Sequence, residues 1–95
     1  MPEVALSESS STKLTFSSRA WSQYLYWQET DKRQVKKINS LIRECLRAPF
    51  EGIGKPEPLK NELAGFWSRR IDEEHRLVYR YSEGTLEIIQ CRYHY

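Results

Sequence analysis

Asp31-Lys-Arg-Gln-Val-Lys-Lys-Ile-Asn-Ser-Leu-Ile-Arg-Glu-Cys-Leu-Arg-Ala-Pro49 decides the fold class. Val35, Ile38, Leu41, Ile42, Cys45 and Leu46 keep helical spacing, while Lys36, Lys37, Asn39, Arg43 and Glu44 fall outside the stripe. Asp31 followed three residues later by Gln34 resembles a capping box at the start, and Pro49 ends the helix. A helix with one apolar stripe needs a second layer to cover it. Upstream, Ser17 or Ser18 can cap another helix that runs to about Glu29, with Ala20, Trp21, Tyr24, Leu25 and Gln28 near one stripe. Before it, Lys13-Leu-Thr-Phe16 alternates as a short strand.

The covering layer lies downstream. Phe66 to Ile71, His75 to Tyr81 and Thr85 to Tyr95 read as strands, separated by Asp72-Glu-Glu74 and Ser82-Glu-Gly84. With a three-residue hairpin loop at each, Arg70 faces Arg76 and Arg76 faces Gln90. One sheet face then collects Phe66, Ser68, Arg70, Arg76, Val78, Arg80, Ile88, Gln90, Arg92 and His94. The other collects Trp67, Ile71, Leu77, Tyr79, Ile89, Cys91 and Tyr93, an apolar surface for the helices. A two-residue loop at either hairpin would move one strand to the opposite faces and break this sorting. The expected fold is α+β: two N-terminal helices on one face of a largely antiparallel twisted sheet of about four strands, the N-terminal strand included.

A chain of 95 residues has room for one such domain. Residues 1–12, Ser- and Glu-rich without periodicity, read as a disordered extension, and residues 13–95 as the folded domain. No apolar run approaches the roughly 20 residues of a membrane span. The N-terminus also lacks the basic start and apolar core of a signal peptide, so no membrane association and a cytoplasmic location are expected. Cys45 and Cys91 fall on apolar faces and are expected as reduced thiols. A zinc site from Cys45, Cys91, His75 and His94 lacks the paired short spacings of such sites, so no metal or cofactor is expected. The net charge is only +2, lowered by Glu3 and Glu8 in the extension, and a modest basic patch supports an anionic partner only weakly.

Chemistry concentrates in two places. Pro49 to Lys60 is a long connection rich in Gly and Pro, and Pro56 and Pro58 hold Glu57 in a stiff, extended backbone. Arg70 opposite Arg76 is a like-charge pair that costs stability unless an anion sits between them. Arginine's planar fork suits phosphate oxygens, and Glu74 is placed to screen or orient one guanidinium. His94 brings a side chain whose free pKa, about 6.5, suits proton transfer near neutrality. Together these parts match RNA cleavage by side chains alone: Glu57 as base on a 2′-hydroxyl, arginines on the phosphoryl oxygens, His94 as acid on the departing 5′-oxygen.

The same residues carry a family resemblance. Trp21-Ser-Gln-Tyr-Leu-Tyr-Trp-Gln-Glu-Thr-Asp-Lys32, Gly54-Lys-Pro-Glu-Pro-Leu-Lys60, Gly65-Phe-Trp-Ser-Arg-Arg-Ile71, Glu74-His-Arg-Leu-Val-Tyr79 and Cys91-Arg-Tyr-His-Tyr95 closely resemble the YoeB toxins, of the RelE-like group of bacterial toxin–antitoxin systems. The likeness covers roughly residues 13 to 95. It implies the RelE-like microbial-RNase fold and an mRNA endonuclease acting on translating ribosomes. It further implies a YefM-type antitoxin as inhibitory partner, with messenger and ribosomal RNA as contacts. Carried over by motif, Glu57 is the general base and His94 the general acid, with Arg70, Arg76 and Tyr95 completing the catalytic set. Lys55, Lys60, Arg69, Glu74 and Arg92 are the expected RNA-binding residues, and His75 is read as structural.

Two other readings stay open on sequence. One is a non-catalytic RNA- or ribosome-binding module; the other is a degenerate toxin kept as a co-repressor with its antitoxin. Trp21, Tyr24, Tyr26 and Trp27 give the first helix more aromatics than a buried stripe needs, and a homodimer interface there is expected.

Overall fold

Ser17 opens the first helix, α1 (Ser18–Thr30), by accepting the Ala20 N–H on its hydroxyl at 3.0 Å. Asp31 then serves two helices at once. Its own N–H closes α1 on the Trp27 carbonyl, and its carboxylate caps α2 (Lys32–Arg47) by accepting from Arg33 N and Gln34 N. Gln34 does not complete a capping box: its amide donates instead to Asp72 Oδ2 at 2.9 Å, which ties α2 to a turn of the sheet. Pro49 disfavours helical geometry at the residue before it, and Ala48 is extended at φ −149°. The structure, a computed structural model, describes residues 12–94. The expected extension, apart from Thr12, and Tyr95 lie outside the described residues. No described helix is long and apolar enough to cross a membrane.

Five strands form one mixed sheet in the order β1-β5-β4-β3-β2: β1 (Lys13–Phe16), β2 (Glu57–Pro58), β3 (Trp67–Arg70), β4 (Arg76–Ser82) and β5 (Thr85–Gln90). β1 runs parallel to β5 and every other pair is antiparallel. The fifth strand, β2, is two residues long and comes from the stretch read as a stiff loop. A single 3₁₀ turn, Asn61–Leu63, joins it to β3.

The β3–β4 register matches the sequence reading, with Arg70 opposite Arg76. The β4–β5 hairpin does not. Its turn has two residues, Glu83 and Gly84, both at positive φ (50° and 79°), which suits the right-handed twist of the flanking strands. Ser82 therefore pairs with Thr85, and Ile88, expected on the outer face, turns inward beneath Tyr79. One extra residue then restores the outer end. Ile89 bulges between the pairs Tyr79–Ile88 and Val78–Gln90, so Gln90 and Cys91 regain the faces read from the sequence. Arg76, expected opposite Gln90, instead donates its N–H to the Tyr93 carbonyl at 3.0 Å. β5 also stops at Gln90; the expected continuation to Tyr95 is replaced by a bend with Tyr93 at φ +72°.

The core lies between the helices and one sheet face. Ile38, Leu41, Cys45, Leu77, Leu86 and Ile88 are fully buried, each aliphatic worth roughly 1.5–3 kcal/mol. On α1 the buried residues are Ala20, Gln23 and Trp27, whereas Trp21 and Leu25 of the expected stripe are exposed. The reason is polar. Gln23 Oε1 accepts the Cys91 N–H at 2.8 Å and Trp27 Nε1 donates to the Cys91 carbonyl at 2.9 Å, satisfying backbone beyond the last strand. On α2, Leu46 is likewise exposed.

Burial pushes the Cys45 thiol up to about 11 and the Cys91 thiol up to about 12, so both stay protonated through neutral pH. A disulfide reagent at pH 8 should label neither thiol in minutes in the native protein and both after unfolding in guanidinium. Two rapid equivalents without denaturant would contradict this packing.

Candidate active site

Glu57 pairs with Ser68, Ser68 with Val78 and Val78 with Gln90, so a single row crosses four strands. Directly opposed residues share a sheet face, and this row lies on the face away from the helices. Arg70 and Arg76 form the adjacent rung on the same face. Arg70 is exposed and Arg76 half-buried.

The loop before Glu57 is fixed by its backbone. Gly54, at φ +84°, accepts the Arg70 N–H on its carbonyl at 2.7 Å. A Cβ at Gly54 would meet Leu41 Cδ2 at 2.8 Å and Arg69 Cβ at 3.1 Å, so glycine answers both a left-handed turn and a close approach. Lys55 follows in the left-handed region at φ +53°, then Pro56, and β2 begins at Glu57. Glu57, Lys55 and Lys60 are exposed. Two open clefts lie along this stretch, the first of them lined by Glu57. One, about 460 Å³, runs from Glu57 past Lys60 to Leu63; the other, about 310 Å³, lies between Lys37, Lys55 and Arg70, with Asp72 and Glu73 at its edge.

The chain end reaches this face through side chains rather than through strand pairing. Gln90 Nε2 donates to the carbonyls of Tyr93 and His94, each at 3.1 Å. The Tyr93 N–H donates to His75 Nδ1 at 2.7 Å, so that nitrogen carries no proton in this arrangement. Trp27 packs edge-on against the His75 ring at 5.0 Å. The left-handed turn at Tyr93 is thereby held from both sides, and His94 leaves it exposed beside Gln90.

Asp72 holds the turn before Arg76. Burial alone would raise its pKa, but hydrogen bonds from the His75 and Glu74 N–H groups and from Gln34 outweigh that, and the carboxyl sits below its ordinary value.

Two expected RNA-binding residues lie elsewhere. Arg69 has no exposed surface and points into the core, because alternation puts it on the face opposite Arg70. Arg92 was expected on the His94 face through a continuing strand. With that strand ended, it lies half-buried over the Tyr26 ring at 3.5 Å and beside Tyr93 at 4.6 Å, against α1. Glu74 is exposed in the β3–β4 turn, 3.7 Å from His75 Nε2. Arg80, on the same face as Arg76, is paired with Glu87 at 2.8 Å. Ser68 and Gln90 lie on the face where the sequence reading put them, though it gave them no role there, and His75 is structural as read. Ser68 is fully buried within the row, and its Oγ has no hydrogen-bond partner among the described residues.

Residues 16–95 match the family model of the YoeB-like toxins of bacterial type II toxin–antitoxin systems. The chain is 66% identical over 83 residues to toxin YoeB of Escherichia coli K12, covering 87% of this chain and 99% of that one. Among solved structures, a YoeB/ParE toxin from Agrobacterium tumefaciens superposes with a TM-score of 0.87 at 57% identity, covering 88% of this chain and 100% of that one. YoeB of Staphylococcus aureus, solved as a dimer, superposes with a TM-score of 0.83 at 49% identity over 88% of this chain and 98% of its own. The same toxin is also solved in a heterotetrameric complex with YefM.

The facing guanidiniums make a direct test. In low-salt buffer Arg70→Gln should hold or slightly raise the melting temperature, relieving roughly 0.2–1 kcal/mol of repulsion. Added phosphate should stabilise the wild type more than the variant in thermal denaturation. Equal gains in both would contradict an anion seat at this pair.

Proposed function

The chain belongs to the YoeB-like toxins of bacterial type II toxin–antitoxin systems, and from that we propose that it is an endoribonuclease cutting messenger RNA on translating ribosomes. The observation that carries this reading is the row Glu57–Ser68–Val78–Gln90, with Arg70 and Arg76 beside it and Gln90 bonded to the His94 backbone. Glu57 stands at one end of that row, Arg70 and Arg76 form the neighbouring rung, and the His94 backbone is tied to Gln90 at the other end, which supports a reading with base, anion-stabilising groups and acid along one face.

In the proposed reaction Glu57 removes the proton of a ribose 2′-hydroxyl. The 2′-oxygen forms a bond to the adjacent phosphorus as the bond from phosphorus to the 5′-oxygen breaks. Arg70 and Arg76 stabilise the charge on the non-bridging oxygens, and His94 supplies the proton to the leaving 5′-oxygen. The products are a 2′,3′-cyclic phosphate and a free 5′-hydroxyl. Base, acid and anion-stabilising groups are all side chains of this protein. Tyr95, by family resemblance, joins this set, and Lys55 and Lys60 border the clefts where flanking phosphates would run. Glu74, in the turn just before Arg76, is proposed to orient the substrate there.

A YefM-type antitoxin is the proposed inhibitor, as in the complex of the S. aureus relative. Ribosomal RNA is the proposed docking partner, which puts the site of action in the cytoplasm. A homodimer is proposed through the helix flank, where Trp21 is 49% and Leu14 44% exposed beside an apolar groove that Phe16 and Tyr24 line. A non-catalytic RNA-binding module is the competing reading.

Toeprinting of a translated message tests the activity. Wild type should give breaks in the reading frame, and Glu57→Gln and His94→Gln should each lower their rate by about 10²–10⁴-fold while ribosome binding holds. Unchanged breaks in either variant would remove that residue from the mechanism. Binding without breaks in the wild type would favour the binding module.

A further inference from the structure

Arg69 precedes Arg70 in β3 but faces the opposite way, and its long side chain has no exposed surface. A buried arginine ordinarily pairs with a carboxylate. Among the described residues, the guanidinium here bonds only to carbonyls and a hydroxyl. Nη1 donates to the Ile53 carbonyl at 2.9 Å, and Nη2 to those of Ala48 at 2.7 Å and Glu51 at 2.9 Å. Nε donates to the Tyr79 hydroxyl at 3.1 Å, and that hydroxyl donates to the Pro49 carbonyl at 2.7 Å. Four carbonyls between residues 48 and 53 thus end on one guanidinium and its tyrosine.

Those carbonyls belong to the irregular segment that leads into Lys55 and Glu57. The next residue, Gly54, lies against the Arg69 stem and bonds to the Arg70 N–H, so the segment is fastened to one face of β3 and to its edge just before it supplies the carboxylate. We propose that Arg69 is a positioning residue for the candidate base: by gathering the carbonyls of residues 48–53 it sets the loop so that Glu57 stands opposite Ser68. The inference rests on the reading of Glu57 as the base. A lysine keeps the charge but cannot reach separated carbonyls and a hydroxyl with one planar fork. A misplacement of about 1 Å at a reacting group can cost 10²-fold in rate.

Arg69→Lys and the milder Tyr79→Phe test this in the full-length protein, with Tyr79→Phe carrying the comparison should Arg69→Lys fail to fold. Amide hydrogen exchange should accelerate by tenfold or more at residues 51–57, while α2 and β4 keep wild-type protection. On a ribosome-bound message kcat should fall by about 10–100-fold for Arg69→Lys, and less for Tyr79→Phe, with KM within about twofold. Combined with Glu57→Gln, neither change should lower the residual rate further. Wild-type kcat despite a loosened loop, or an equal loss in the Glu57→Gln background, would overturn the inference and leave Arg69 a stability residue. A fully active Glu57→Gln protein would instead overturn the assignment of the base and the catalytic half of the inference with it. The exchange data, which need no activity, would still decide whether Arg69 sets the loop.

Discussion

A strand offers each side chain two faces, and a slip of one residue exchanges them all. In this protein one inserted residue on β5, opposite the Val78–Tyr79 step, settles the choice for the chain end. Before the insertion Leu86 and Ile88 face the helices and complete the core. After it Gln90 faces out, in register with Val78, Ser68 and Glu57. Without the bulge, a strand that packs its apolar residues correctly would turn Gln90 inward and carry the chain end to the helix side. Core and site thus make opposite demands on a six-residue strand, and the bulge meets both.

Backbone that leaves regular structure must still find partners when it is buried. Two such segments border the site, and each is satisfied by side chains reaching in from the helix side of the sheet. Arg69 and Tyr79 take up the carbonyls after α2. Gln23, Trp27 and His75 take up the amides and carbonyl of residues 91–93. Burial raises the Tyr79 hydroxyl to about 12, so it remains a donor to Pro49 throughout the pH range in which the protein would act. Glu57, Arg70, Arg76 and His94, the proposed catalytic side chains, are exposed or half-buried, while the groups that aim their backbone lie inside. In the proposed reaction this division leaves the reacting groups open to RNA and keeps the supports away from water.

Much of this was legible in the sequence. The α2 stripe of Ile38, Leu41, Ile42 and Cys45 is buried as its spacing requires, because an amphipathic helix has one way to cover a sheet. The Arg70–Arg76 pair followed from loop length and alternation alone. Three features did not. The Glu83-Gly84 turn has the chemistry of a two-residue hairpin, but that choice spoils the face sorting unless a bulge follows, and nothing local announces a bulge at Ile89. Arg69 sits beside a true surface arginine, and composition cannot separate the two; only strict alternation points it inward. Hydrophobic period put Trp21 and Leu25 in the α1 stripe and left out Gln23 and Trp27, whereas hydrogen-bond demand from Cys91, 64 residues from Trp27 and 68 from Gln23, chose the buried face of α1.

The central claim is that one open sheet face brings a carboxylate, two guanidiniums and an imidazole to a single phosphodiester. A crystal structure with an RNA carrying a 2′-O-methyl group on the nucleotide before the scissile bond tests it most directly, because the block leaves binding intact and stops attack. The account predicts the phosphate between Arg70 and Arg76, with the Glu57 carboxylate beside the 2′-oxygen and the His94 imidazole beside the 5′-oxygen. A phosphate seated on the helix side, or Glu57 and His94 both on one side of the phosphorus, would contradict it.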